Sequence, residues 1–208
     1  MPSDDPHTEQ QLRKDVIRAA QLILERGYVT GTAGNVSARL GTSDRLVITP
    51  SDANYASLKP EDLSLCSARC EHLAGENRPS IELPLHAALY CARPDVGAII
   101  HTHSVHATTV ATLSRDIPLM LPEAVRAIGS DSIPCATFAP EGSPELTENV
   151  VAALRSEGKA LLMAEHGVLA VGSDMKEAFA ICELIEEAAR LFMSSGAHDK
   201  GADKAERS

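Results

Sequence analysis

The 208-residue chain carries 29 acidic against 19 basic side chains, a formal net charge of −10 with histidine neutral. Its Lys and Arg form no cluster, so the electrostatic footprint of a nucleic-acid partner is missing and that class is set aside. No stretch approaches the roughly 20 apolar residues of a membrane span, and residues 1–6 have neither the basic start nor the apolar core of a secretory signal, so a soluble cytoplasmic protein is expected.

The length suits one domain, expected over residues 8–195 and followed by a polar tail over 196–208. An amphipathic helix is predicted over 8–26, where Leu12, Val16, Ala19, Ala20, Ile23 and Leu24 recur at helical spacing and Gly27 stands ready to cap the end. The small residues Thr30, Gly31, Thr32, Ala33 and Gly34 make a tight loop. It feeds a strand over 35–40, joined by a turn at 41–44 to a strand over 45–49.

Pro50 and Pro60 punctuate a loop before a weaker strand over 63–66. A helix over 82–91 presents Leu85, Ala88 and Leu89 on one face and is stopped by Arg93, Pro94 and Asp95. An apolar strand over 96–100 runs into His101-Thr102-His103, and a helix over 106–113 follows. Pro118, Pro122, Pro134, Pro140 and Pro144 make residues 114–144 mostly loop, with a short helix near 123–128. A helix from Pro144 to about Ser156 leads to strands over 160–164 and 168–171. Asp174 and Glu177 have capping-box spacing and open a last helix over 175–194. Helices flanking a mostly antiparallel sheet predict an α/β or α+β domain.

The five cysteines are an odd number without the short paired spacings of a disulfide or zinc-ribbon framework, so they read as reduced thiols. Cys66, Cys70 and His72 could clasp a metal, but no second pair follows at finger spacing. The histidines say more. On a strand, residues i and i+2 point to one face, so His101 and His103 converge without any loop folding around them. His166, in Glu165-His166-Gly167 after the next apolar run, offers a third imidazole, and Glu82 is an acidic partner upstream. Three such ligands with a fourth position open describe a catalytic metal centre rather than a structural one. Nitrogen and oxygen donors suit Zn²⁺, with Mn²⁺, Co²⁺ or Fe²⁺ able to occupy the same set.

Five segments in order carry a resemblance: residues 32–37, 48–51, Pro79-Ser80-Ile81-Glu82 with His86, residues 101–104, and 165–167. Together they resemble the class II aldolase/adducin family over about residues 10–193. The resemblance implies an αβα sandwich around a central, mostly antiparallel sheet. It also implies a homotetramer with active sites between subunits and one divalent ion per subunit on His101, His103 and His166, with Glu82 as the catalytic carboxylate. A substrate phosphate would lie against Gly34, Asn35, Ser51 and Ser80.

The activity implied is carbon–carbon cleavage of a small hydroxy-carbonyl compound, such as a ketose 1-phosphate, through a metal-stabilised enediolate. Decarboxylation of a 3-oxo acid shares that intermediate and is the alternative. A non-enzymatic, adducin-like interaction module is the alternative of another class, although such members lose the metal ligands that this chain keeps. Some positions depart from the pattern of the family's aldolases. Asp52 stands in place of glycine, Ile81 in place of a second serine, and Glu141 where an aromatic is expected. The segment 119–122 lacks a tyrosine, leaving Glu123 beside it and His106 on the helix after the histidine strand as further candidates.

Overall fold

The structure, a computed structural model, describes residues 6–154 and 157–196. The tail expected over 196–208 therefore lies, beyond Gly196, outside the described residues, as do the last two residues expected in the helix after Pro144. In chain order the elements are α1 (Pro6–Glu25), β1 (Asn35–Arg39), β2 (Arg45–Ile48), β3 (Ser64–Ser67), β4 (His72–Ala74), α2 (Leu83–Ala92), β5 (Ala98–Thr102), α3 (Val105–Thr112), β6 (Ile117–Pro118), α4 (Pro122–Ile128), β7 (Ser132–Ile133), β8 (Cys135–Ala136), α5 (Pro144–Ala153), β9 (Ala160–Met163), β10 (Gly167–Gly172) and α6 (Met175–Ser194).

The central strands are too apolar to leave a face in water. Every residue of β5, β9 and β10 is buried, and their side chains divide by parity. Ala98 and Ile100 of β5, with Val168 and Ala170 of β10, join one core with α1, α3 and α6. Ile99, with Leu169 and Val171, joins a second core with α2 and α5. The result is an α/β fold in which helices cover both faces of the sheet, the αβα sandwich expected. Among the described residues the sheet order is β4-β3-β2-β1-β5-β10-β9-β8. All neighbours are antiparallel except β8 and β9.

The stretch expected to be mostly loop between 114 and 144 also holds three two-residue strands, and β6 and β7 pair as a sheet of their own. Their anchors, Ile117 and Ile133, are wholly buried. Two residues are too few to display a period of two, so sequence patterning cannot reveal them. The opening of α6 also differs in detail from a reciprocal capping box. Asp174 accepts from the Glu177 N–H at 2.8 Å, but Glu177 reaches back to the N–H of Ser173 at 2.7 Å, one residue earlier. Among the described residues no helix is long and apolar enough to cross a membrane.

Parity also decides where the chemistry sits. His101 shares its face of β5 with Ile99, the face covered by α2, and registers with Asn35 on β1. Glu82 is the residue before the first turn of α2.

Candidate metal centre

β5 delivers His101, and the extended backbone continues to His103, whose N–H donates to the Tyr28 carbonyl at 2.9 Å. His166 comes from the three-residue turn joining β9 to β10, where Glu165 adopts a left-handed φ of 57°. The His101 ring centroid is 4.8 Å from those of both His103 and His166, and the last two are 5.3 Å apart. The turn can come this close because residue 167 is glycine. A Cβ there would stand 2.6 Å from the Thr102 carbonyl oxygen and 2.9 Å from both the His101 and His103 rings. Gly167→Ala is therefore expected to overpack the centre, lowering stability by about 1–3 kcal/mol and weakening Zn²⁺ binding; isothermal titration of wild-type affinity in the variant would disprove this.

Glu82 is 2 % exposed. Its Oε2 accepts from the Asn35 side-chain amide at 2.7 Å and lies 3.4 Å from His101 Nε2, while Oε1 lies 3.6 Å from His166 Nε2. His101 and His103 bring their Nε2 atoms to 3.0 Å. Two ligand atoms on a tetrahedral zinc ion with bonds near 2.0–2.1 Å are about 3.3 Å apart, so these separations suit a shared cation. His101 Nδ1 donates to the Val168 carbonyl at 2.9 Å, an assignment from geometry that turns the Nε2 lone pair toward the cluster.

Glu82 Oε1 and both ring nitrogens of His166 are buried without a protein partner. Such orphans cost roughly 1–3 kcal/mol each and call for an ion or water. Three imidazoles and one carboxylate thus fit a divalent cation. Burial, with His103 nearby, pushes the His101 pKa down to about 3. Burial also lowers His103 and His166. All three are thereby held in the neutral form that binds metal.

Beside the cluster opens a cleft of about 500 Å³ lined by His101, His103, Thr30, Thr32, Gly34, Asn35, Ser51, Asp52, Ser80, Ile81 and Glu141, among others. It gathers all four residues expected to face the substrate. Gly34 has a φ of +77°, and a Cβ on it would stand 2.6 Å from the His101 carbonyl oxygen, so only glycine lets this loop lie against β5. Ser51 donates its hydroxyl to the Pro79 carbonyl, and Ser80 accepts from the Glu82 N–H.

Residues 14–193 match the family model described as Class II Aldolase and Adducin N-terminal domain. The chain belongs to the class II aldolase and adducin family. It is 35 % identical over 185 residues to the L-fuculose phosphate aldolase of Escherichia coli strain K12, covering 89 % of this chain and 84 % of that protein. It is 37 % identical over 187 residues to the 5-methylthioribulose-1-phosphate/5-deoxyribulose-1-phosphate aldolase of Rhodospirillum rubrum, covering 90 % and 82 %. A solved structure of an L-fuculose 1-phosphate aldolase superposes with a TM-score of 0.85 at 28 % identity, over 90 % of this chain and 87 % of that one. The chain is an enzyme of the class II aldolase type.

The other two candidates are not brought to this cleft. Glu123 is exposed in the first turn of α4, and His106 Nδ1 is 2.7 Å from Glu186 on α6. Within this class II aldolase chain His106 is a contact between α3 and α6.

Sequence reading named Asn35, Glu82 and His86 but missed the polar ladder that joins them behind the centre. Asn35, Ser37 and Arg39 alternate along β1, while Glu82, His86 and Tyr90 recur every fourth residue on and before α2. Asn35 holds Glu82, and Ser37 Oγ lies 2.6 Å from His86 Nδ1 and 2.8 Å from the Tyr90 hydroxyl. Arg39 donates to the Tyr90 carbonyl and places its guanidinium carbon 4.8 Å from the Tyr90 ring centroid. The signal was present as a period of two facing a period of four, but nothing local says that these segments meet.

Burial lowers the His86 pKa from 6.5 to about 4. Between those values the unfolded chain binds a proton that the folded chain does not. Stability is therefore full above pH 6.5 and lost as pH falls toward 4, by roughly 3 kcal/mol for this one group. Urea titrations of the metal-free protein should show a shallower acid loss in His86→Asn; an unchanged pH slope would reject the assignment.

Proposed function

We propose that this chain is a divalent-metal-dependent carbon–carbon lyase that cleaves a small hydroxy-carbonyl substrate, a ketose 1-phosphate being the first class to test. The observation that carries the reading is the convergence of His101, His103, His166 and Glu82, with orphaned buried nitrogen and oxygen atoms, at the edge of an open cleft. The names of the matched aldolases support the same reaction class. Zn²⁺, or Mn²⁺, Co²⁺ or Fe²⁺ in its place, would supply one positive centre per chain against the negative charge that develops on the substrate's oxygens during cleavage.

The protein's own part is to position and to move protons. Asn35 orients Glu82 through Oε2, which leaves Oε1 available to exchange a proton with a substrate atom. Burial of Glu82 keeps competing water away and strengthens each electrostatic contact it makes. The Gly34 loop and the Ser80 hydroxyl serve the substrate's far end, with Asn35 and Ser51 holding the surrounding loops.

We take residues 8–195 as one catalytic domain working in the cytoplasm and assembling as a homotetramer with sites between subunits. Exposed Val105, Leu113, Met120 and Phe138 support burial against another copy. Metal analysis comes first: about one equivalent of divalent metal per chain is expected after Zn²⁺ loading, and less than about half would reject the metal-dependent lyase reading. A panel of ketose 1-phosphates and 3-oxo acids then separates the reactions. Aldehyde release is expected; CO₂ without aldehyde would replace cleavage by decarboxylation of a 3-oxo acid.

A further inference from the structure

Glu141 lies outside the usual pattern and inside the cleft. It sits in a tight turn in which the Ser143 N–H donates to the Pro140 carbonyl at 3.0 Å and Gly142 supplies a φ of +70°. Ser143 in turn caps α5 by accepting from the Leu146 N–H. Pro140 on one side and the capped helix on the other thus hold the backbone of Glu141 in place. The side chain is exposed and lines the cleft beside His101 and His103. A carboxylate oxygen of Glu141 and the ligand atoms of Glu82 and His166 all lie within 4.8 Å of one another.

Two partly buried acids elsewhere in the fold are engaged. Glu177 meets Lys159 and Ser173, and Glu186 meets His106 and Ala107. Among the described residues Glu141 makes no hydrogen bond or ion pair. An independent sign of a ligand comes from its neighbours: Glu82, 2 % exposed, leaves Oε1 without a partner, and His166 leaves both ring nitrogens so. An acidic pair alone would be a solvated patch. This one borders unsatisfied buried atoms at the end of a cleft.

We propose that Glu141 is a second catalytic carboxylate of the site, taking the substrate's hydroxyl proton as the carbon–carbon bond breaks. The proposal rests on the lyase reading above. Retro-aldol cleavage moves one proton between two atoms, from the hydroxyl oxygen of the leaving aldehyde to the carbon of the ketone fragment. As the O–H bond breaks, its electron pair becomes the second bond of the aldehyde C=O, and the pair of the broken carbon–carbon bond stays with the ketone fragment. The proton on Glu141 crosses to Glu82, which gives it to that carbon. Both carboxylates end as they began, and no further reactant is needed. The division follows exposure: Glu141 is exposed at the cleft, and Glu82 is buried.

The test uses the full, Zn²⁺-loaded chain and compares wild type with Glu141→Gln and Glu141→Asp. Three quantities are read: cleavage of the ketose 1-phosphate panel, deuterium exchange into dihydroxyacetone phosphate in D₂O by NMR, and bound metal. In Glu141→Gln, kcat for cleavage is expected to fall about 10²–10⁴-fold, while exchange and metal content stay within about threefold of wild type because Glu82 serves the carbon alone. Glu141→Asp should recover part of the cleavage. Cleavage by Glu141→Gln within about threefold of wild type would overturn the assignment, and so would joint loss of cleavage, exchange and metal. Wild-type protein that neither cleaves nor exchanges would instead overturn the lyase reading, and the role of Glu141 with it.

Discussion

His103→Ala is expected to bind less than about a tenth of an equivalent of Zn²⁺ and to lose all measurable cleavage, with its far-UV circular dichroism unchanged. Removing this imidazole leaves two histidines and Glu82, and His103 is only partly buried and lines the cleft, so its loss opens toward the cleft rather than into the core. His101 is a poorer choice because it is 1 % exposed and bonded to Val168, so its truncation would also create a cavity. The measurement is metal content by mass spectrometry alongside turnover. Full metal occupancy in the variant would remove His103 from the ligand set, and retained activity would remove the metal from the reaction. Dialysis of wild-type protein against a chelator should reproduce the loss of activity, and Zn²⁺ should restore it.

Glu82→Gln has the second large effect. The substitution keeps the shape of the side chain and can still accept from Asn35 through its carbonyl oxygen, but it no longer accepts a proton. A drop in kcat of about 10²–10⁴-fold is expected, with KM changed by less than about threefold and metal retained on the three histidines. The contrast with Glu141→Gln is in deuterium exchange, which Glu82→Gln should abolish. Exchange at the wild-type rate would show that another group serves the carbon, and Glu82 would then be a ligand only.

The centre was half legible in the chain. His101 and His103 were paired by the alternation of a strand, and β5 and the extended residue after it bear that out geometrically. His166 was placed after an apolar run; it lies in a hairpin turn rather than on a strand, and Gly167 is what admits that turn to the other two rings. Gly34, Asn35, Ser51 and Ser80 were expected at one cleft and line it. Asn35 differs in its partner, since its side-chain amide is already engaged by Glu82. Glu141 was visible only as a departure from a pattern. Its turn residues Pro140 and Gly142 were readable, but not the direction in which that turn would face.

Periodicity, caps and turn chemistry are properties of residues a few positions apart, and they are written in the order of the chain. They sufficed for the long helices and for the central strands buried on both faces, and they named the candidate ligands. Contacts between distant segments obey no such local rule. Asn35 and Glu82 are 47 residues apart, His101 and Val168 are 67 apart, and each pair meets because both cores close against one sheet. That packing set the His101 tautomer, left Glu82 Oε1 without a partner, aligned the Ser37, His86 and Tyr90 ladder, and brought a second carboxylate to the site. The residues themselves determined which chemistry is available; burial and register, which no short segment encodes, decided which atoms are free to perform it.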